Sequence, residues 1–336
     1  MNLESRLQDF INLGKYLSHL SETEKQELAD KVYLYNHWFT PDNVRNAIDG
    51  IVHLLNESDL QTWISRYTFS DHSPRKVGVV MAGNIPGVGF HDFLCVLLSG
   101  NILYAKLSSQ DEMLIKFITS ILLEINDLYK ERIFFAERLN DMDAMIATGS
   151  DNTSRYFEYY FSKIPHIIRK NRTAVAVLNG NETVDDLQEL SKDIFLYFGL
   201  GCRNISKLYV PEGYNFKSFF EATQPFDFVR NHHKYNNNYE YNRSVYLINQ
   251  VFHYDNGFLM LLENENIVSP MSVLYFEYYQ NEDDLKDKLA AHQEKIQCIV
   301  CKDAFLSGSF AFGQAQYPKV WDYADGVDTM QFLTGI

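Results

Sequence analysis

One cysteine in this chain has the surroundings of a nucleophile. Residues 197–211 read YFGLGCRNISKLYVP, so Cys202 follows a Gly-Leu-Gly turn that closes an amphipathic helix and precedes a strand-like run at 205–210. A thiol at such a junction can face a cleft. The thiolate is the reactive form, and glycines on its N-terminal side let backbone and substrate come close. Taken alone, the pattern fits a buried structural cysteine equally well, since free cysteine is among the most buried residue types. The other three cysteines have plainer settings. Cys95 lies in FLCVLL and reads as helix core. Cys298 and Cys301 form C-x-x-C in KIQCIVCKD, a buried-strand pattern with no second C-x-x-C and no thioredoxin-like helix after it. Neither a redox pair nor half a zinc site is expected there.

Three polar positions stand at strand ends. Asn84, in GNIPG, follows a strand-like run; its amide can donate to an oxyanion or simply shape the turn. Lys106 ends ILYAK, at the edge where open α/β sheets bind ligands. Gly149 and Ser150 end AMIATGS and open a helix near Asn152, where unpaired backbone N–H groups suit a pyrophosphate. Ten histidines show no metal-ligand spacing, and no metal site is expected.

The elements that must position these residues follow from periodicity. The first 70 residues read as helices: LQDFINLGKYLSHL has 3.6-residue apolar spacing, Ser21 with Glu24 makes a capping box, and Thr40-Pro41 suits an N-cap and first helical position. From Lys76 strand and helix alternate, with strand-like runs at 77–81, 102–106, 133–135 and 144–147. A second alternating stretch has strands near 174–178, 207–210, 273–276 and 296–300, with helices near 184–198 and 282–291. The expected fold is α/β, with two parallel-sheet domains and an N-terminal helical segment. The expected divisions are 1–70 helical, 71–171 nucleotide-binding, 172–313 catalytic and 314–336 a C-terminal segment. Residues 231–243, NHHKYNNNYEYNR, read as a polar surface loop.

Taken in order, KVGVVMAGNIPGVGFHDFLCVLLSGN, ILYAKLSSQ, MIATGS, GLGC, ENIVSPMSVLYF and FAFGQ resemble the aldehyde dehydrogenase superfamily. Within it they resemble the luminescence-type (LuxC-like) acyl-CoA reductases. The resemblance runs from about Lys76 onward. It implies an aldehyde dehydrogenase-like fold, with Cys202 as the catalytic nucleophile and Asn84 as an oxyanion donor. It implies Lys106, Gly149 and Ser150 as dinucleotide-binding residues, Asn266 near the nicotinamide ribose and Phe312 near the nicotinamide. Two departures refine this. Many members carry a glutamate three residues after the lysine, and Ser109 stands here instead; a hydroxyl tolerates a 2′-phosphate that a carboxylate repels, which favours NADPH over NADH. Hydrolytic members carry a Glu-Leu-Gly-Gly signature upstream of the cysteine, whereas this chain has HIIRKNRTA and no acid between Pro165 and Gly180. Without that base, water attack on a thioester is slow, and reduction or exchange with coenzyme A takes its place. The basic residues Arg169, Lys170 and Arg172 suit a phosphorylated ligand or an ordinary charged surface.

The expected reaction is NADPH-dependent reduction of an acyl-CoA, or of an acyl group on a carrier protein, to an aldehyde, with coenzyme A as a product. The alternatives are an aldehyde dehydrogenase working oxidatively and an inactive assembly subunit of the same fold. The resemblance also implies an acyl-activating synthetase as partner and a homo-oligomer. Composition agrees with this class. The 336 residues suit two joined domains, and a net charge of −14 argues against nucleic acid or an anionic membrane as main partner. No apolar run approaches a membrane span, and MNLESRLQDF lacks signal-peptide character, so a cytoplasmic location is expected.

Overall fold

The computed structural model describes residues 1–69, 73–149 and 151–336. Its contacts divide into two units, Met1–Asn171 with Tyr317–Ile336, and Arg172–Gln316.

The first unit opens with four helices, α1 (Leu3–Ser18), α2 (Glu22–Tyr35), α3 (Pro41–Leu54) and α4 (Glu57–Ile64). The expected caps are in place: Ser21 and Glu24 exchange both capping-box bonds, and Thr40 caps α3 with Pro41 at its first position. These satisfy donors that a helix start leaves open. Then come β1 (Lys76–Val80), α5 (Phe90–Leu98), β2 (Ile102–Lys106), α6 (Met113–Ile125), β3 (Ile133–Phe135), β4 (Ala144–Thr148), α7 (Asp151–Phe161) and β5 (His166–Arg169). The five strands are parallel in the order β3-β2-β1-β4-β5. Helix α1 packs on α3, α5 and α6, so the N-terminal helices cover the crossover helices of this sheet. The strand order reverses between β1 and β4, which makes the carboxyl ends of these strands the ligand-binding edge.

The second unit comprises β6 (Thr173–Val177), α8 (Val184–Phe195), β7 (Ile205–Pro211), α9 (Lys217–Thr223), α10 (His233–Ile248), β8 (Tyr254–Asp255), β9 (Met260–Glu263), β10 (Val273–Tyr279), α11 (Glu282–Ala291), β11 (Ile296–Cys301) and β12 (Phe310–Ala311). Its sheet runs β12-β11-β6-β7-β10-β9-β8, parallel except for the β8–β9 pair. Every residue of the interior strand β6 is buried, which is why TAVAV reads as a continuous apolar run.

Three expectations need correction. Residues 233–248 form a helix, not a surface loop: Tyr235, Tyr239 and Asn242 share one face and are buried, and the Tyr235 and Tyr239 hydroxyls bond the Phe258 carbonyl and the Asp255 carboxylate. Asn and His are weak helix formers, so local preference hid a helix that tertiary burial supports. Strand β5 was not among the expected strands, because one of its two inward residues, Arg169 beside Ile167, is charged. Helix α8 stops at Phe195, three residues before the expected end, because the chain turns left-handed there.

Residues 317–336 return to the first unit and end in α12 (Thr329–Thr334), which packs on α5. Arg169 pairs with Asp92 of α5, both side chains being less than one tenth exposed, and its second nitrogen donates to Thr329 Oγ1 at 2.7 Å. The tail is held further by Trp63 Nε1 donating to the Tyr323 hydroxyl at 2.6 Å and Tyr67 donating to Asp328 at 2.8 Å. Removing one partner of a buried pair strands the other charge, so Arg169→Met is expected to cost roughly 3–5 kcal/mol, and Arg169→Met with Asp92→Leu to recover most of that loss. Urea unfolding of the three proteins measures both.

Candidate functional site

Cys202 is exposed, whereas Cys95, Cys298 and Cys301 are buried. Burial raises the Cys95 thiol well above its ordinary range and pushes Cys298 up to about 12. Those two are core thiols, as their sequence settings indicated. Cys202 sits in a turn between α8 and β7. Within that turn the Asn204 side chain accepts from Gly201 N–H at 2.7 Å and donates to the carbonyls of Asp193 and Leu196 at 2.9 and 2.8 Å. Next to the thiol, Arg203 lies over the Phe310 ring at 5.1 Å and donates to the Ala315 carbonyl at 3.2 Å.

The segment 310–315 carries Phe312, which is buried, and Gly313 at φ 79°. That left-handed backbone is what requires glycine at 313. The segment hangs from Asp193 of α8, whose carboxyl accepts from Gly313 and Ala315 N–H at 2.7 and 3.1 Å. Arg203, Asp193 and Asn204 thus link Cys202's turn to the Phe312 segment. Asn266 is exposed on the loop after β9, its N–H donating to Asn264 Oδ1 at 2.8 Å. That loop is tied to the start of β7, the strand into which Cys202 leads: Ser206 Oγ donates to the Ile267 carbonyl at 2.6 Å and Lys207 Nζ to the Glu265 carbonyl at 2.9 Å. Lys207 is fully buried, paired with Glu277 and lying 4.9 Å from the Tyr209 ring. An open pocket of about 640 Å³ lies over this loop, lined by Asn266, Glu265, Glu277 and Lys288 among others.

In the first unit, Asn84, Lys106 and Ser109 are all exposed at the carboxyl ends of β1 and β2. Met81 N–H bonds the Lys106 carbonyl at 3.0 Å, and a Cβ at Gly83 would lie 2.3 Å from Ser108 Oγ, so the two loops touch. The Asn84 loop is anchored by Asp111, 4 % exposed, which accepts from Gly87 N–H at 2.8 Å and from Val88 N–H. Burial lifts the Asp111 carboxyl to about 8. Gly149 ends β4 at the same edge, but its N–H donates to the Arg169 carbonyl at 3.2 Å and is spent on the sheet. A Cβ there would stand 3.0 Å from Phe157, a tight contact with α7. Ser150 lies outside the described residues.

The basic run beside β5 does not form a phosphate site. Arg169 is buried against Asp92, Lys170 pairs with Glu158 at 3.2 Å, and Arg172 donates to the Ile296 carbonyl at 3.2 Å. Among the described residues no three His, Cys, Asp or Glu side chains gather as a metal-ligand set, and no helix is long and apolar enough to cross a membrane.

The profile of the LuxC acyl-CoA reductases matches residues 6–221, nearly two thirds of the sequence. The chain belongs to the LuxC acyl-CoA reductase family. The matched span includes Asn84, Lys106, Ser109, Gly149 and Cys202; Asn266 and Phe312 fall beyond it. Solved structures of the aldehyde dehydrogenase superfamily share the fold at low identity. An NADP dependent enzyme from E. coli is 14% identical at a TM-score of 0.66, over 94% of this chain and 76% of that one. An indole-3-acetaldehyde dehydrogenase complexed with NAD+ is 12% identical at 0.66, over 94% and 75%. A Mycobacterium tuberculosis aldehyde dehydrogenase, also complexed with NAD+, is 12% identical at 0.61, over 90% and 73%. No curated protein sequence matches the chain. Membership in this family makes the protein an oxidoreductase by family, and its fold is like that of the aldehyde dehydrogenases.

Asn204, Asp193, Arg203 and Asp111 escaped the sequence reading. The available signal for Asp193 was an acid among the core-facing residues of α8, beside Leu190 and Ile194. Burial pushes its carboxyl from 3.8 up to about 7, against the two N–H groups that favour the ionised form and between the charges of Glu189 and Lys192. The folded chain therefore keeps this proton where the unfolded chain has lost it, so the group's contribution to stability declines as pH rises from roughly 4 to 7 and is level above. Asp193→Asn is expected to narrow the difference between urea midpoints at pH 5 and pH 8 relative to the unaltered chain.

Proposed function

We propose that this member of the family reduces an acyl-CoA to the aldehyde with NADPH, using Cys202 as nucleophile. The observation that carries the reading is an exposed Cys202 on a hydrogen-bonded turn, in a chain whose other three cysteines are buried. Its thiolate attacks the thioester carbonyl; the C–S bond to coenzyme A breaks, and the departing thiolate takes a proton. The acyl group is now a thioester on Cys202. The Asn84 side-chain amide, with the backbone N–H at Cys202, serves as donor to the oxyanion formed during attack. No acid stands between Pro165 and Gly180 to activate water, so the acyl-enzyme persists until it is reduced. NADPH when bound supplies the two electrons and hydrogen that convert the acyl carbon to the aldehyde. Collapse of the resulting hemithioacetal returns the Cys202 thiolate.

The residues at the carboxyl ends of β1 and β2 fit a 2′-phosphorylated dinucleotide. Lys106 offers an exposed ammonium, Ser109 an exposed hydroxyl, and residues 106–110 contain no acid. Asp111 follows, but burial keeps it protonated at neutral pH, so it does not repel a phosphate. Gly149 supplies room for α7 rather than a donor. Asn266 is assigned to the nicotinamide ribose and Phe312 to the wall near the ring. An acyl-activating synthetase as supplier and a homo-oligomer as the working state complete the proposal.

Three measurements test it. Cys202→Ser is expected to abolish NADPH oxidation across acyl-CoAs of two to eighteen carbons while NADPH still binds. Mass spectrometry of the unaltered chain incubated with acyl-CoA alone is expected to find one acylated cysteine, Cys202, and acylation at Cys298 or Cys301 would overturn the assignment. Ser109→Glu is expected to weaken NADPH at least tenfold more than NADH, because the carboxylate then faces the 2′-phosphate. The ratio of the two dissociation constants at one ionic strength reads this directly.

A further inference from the structure

We infer that Asn204 is a positioning residue for the Cys202 nucleophile, an inference that rests on the reading of Cys202 just proposed. The chain leaves α8 at Phe195 and must reverse within a few residues to set Cys202 ahead of β7. It does so through Tyr197 and Phe198 at φ 53° and 56°, followed by Gly199 at φ 77°. Left-handed backbone is strained for an ordinary L residue, and two bulky aromatics hold it in succession only where their surroundings over-determine it.

Asn204 supplies that determination. Asp193 and Leu196 lie where α8 ends and its last carbonyls lose their helical partners. The Asn204 amide nitrogen donates to both of these carbonyls. Its oxygen takes the Gly201 N–H, and its own N–H returns to the Gly201 carbonyl at 3.0 Å. The Asn204 backbone carbonyl accepts from Ala174 N–H of β6 at 3.2 Å. One residue, 2 % exposed, therefore ties the end of α8 and the nucleophile's turn together through its side chain and meets β6 through its backbone. The aromatic side brings a second brace: the Phe198 ring lies 4.5 Å from His232 and 6.0 Å from Tyr235 at the start of α10. Only a short primary amide offers two donors and an acceptor at this reach. Aspartate keeps the shape and loses both donors, turning a carboxylate toward two carbonyl oxygens.

A misplacement of the nucleophile on the order of 1 Å costs about 10²-fold in rate without needing to change substrate affinity. The test is Asn204→Asp in the full chain, with Asn204→Ser, which keeps one hydrogen-bonding group, read the same way if the first variant does not fold. Long-chain acyl-CoA is mixed with protein in the absence of NADPH, and acylation is followed by rapid quench and mass spectrometry. The maximal rate is expected to fall about 10²-fold while the half-saturating acyl-CoA concentration stays within about threefold. Amide exchange at 196–204 is expected to rise about tenfold or more, with β6 and β10 unchanged. An unaltered acylation rate, unaltered exchange, or a rise in exchange throughout the second unit overturns the positioning role. Acylation of the unaltered chain at a site other than Cys202 overturns the nucleophile assignment instead, and exchange at 196–204 then decides alone whether Asn204 pins the turn.

Discussion

In each unit a buried aspartate holds up a glycine-containing loop. Asp111 takes the N–H groups of Gly87 and Val88 beneath the Asn84 loop, and Asp193 takes those of Gly313 and Ala315 beneath the Phe312 segment. Such loops have little side-chain packing with which to fix themselves, and their backbone donors need partners once water is excluded. A short acid reaching up from a rigid element answers both needs. The cost is that the carboxyl is itself buried, and its affinity for a proton rises in consequence, to about 8 and about 7. Each loop thereby rests on a group whose charge is balanced between desolvation and hydrogen bonding.

The same logic of satisfying backbone before placing chemistry explains the cysteine. Cys202 is exposed, yet it lies between Gly201 and Asn204, both of which are buried. Asn204 reconciles these demands by saturating the carbonyls of Asp193 and Leu196 at the end of α8. Arg203 extends the arrangement outward by bonding the Ala315 carbonyl, so the turn and the Phe312 segment share one set of supports.

How far this was legible in the sequence depended on distance along the chain. Strands such as β1, β2 and β6, the caps at Ser21 and Thr40, and helix α11 could be read because their signals lie within a few neighbouring residues. The Cys202 setting could be read for the same reason, from its glycines. Helix α10 could not, because its weak formers Asn and His are overruled by buried Tyr235 and Tyr239. Strand β5 could not, because the partner that makes Arg169 an inward residue is Asp92. The supports of the site were hidden most completely: Asp193 meets its N–H donors more than one hundred residues later, and no local pattern announces that.

The return of residues 317–336 to the first unit bears on how the protein is made. Domains usually fold in the order in which they leave the ribosome, the N-terminal one first. Here the second unit is a continuous stretch, Arg172–Gln316, and every strand of its sheet has emerged before the first unit receives Tyr323, Asp328 and Thr329. Arg169 and Asp92 lie on one side of the inserted unit in sequence, and Thr329, whose hydroxyl Arg169 meets, lies on the other. The second unit can therefore close from one unbroken stretch, while the first needs residues from both sides of it, so folding that runs from the N-terminus leaves the first unit waiting on residues beyond Gln316.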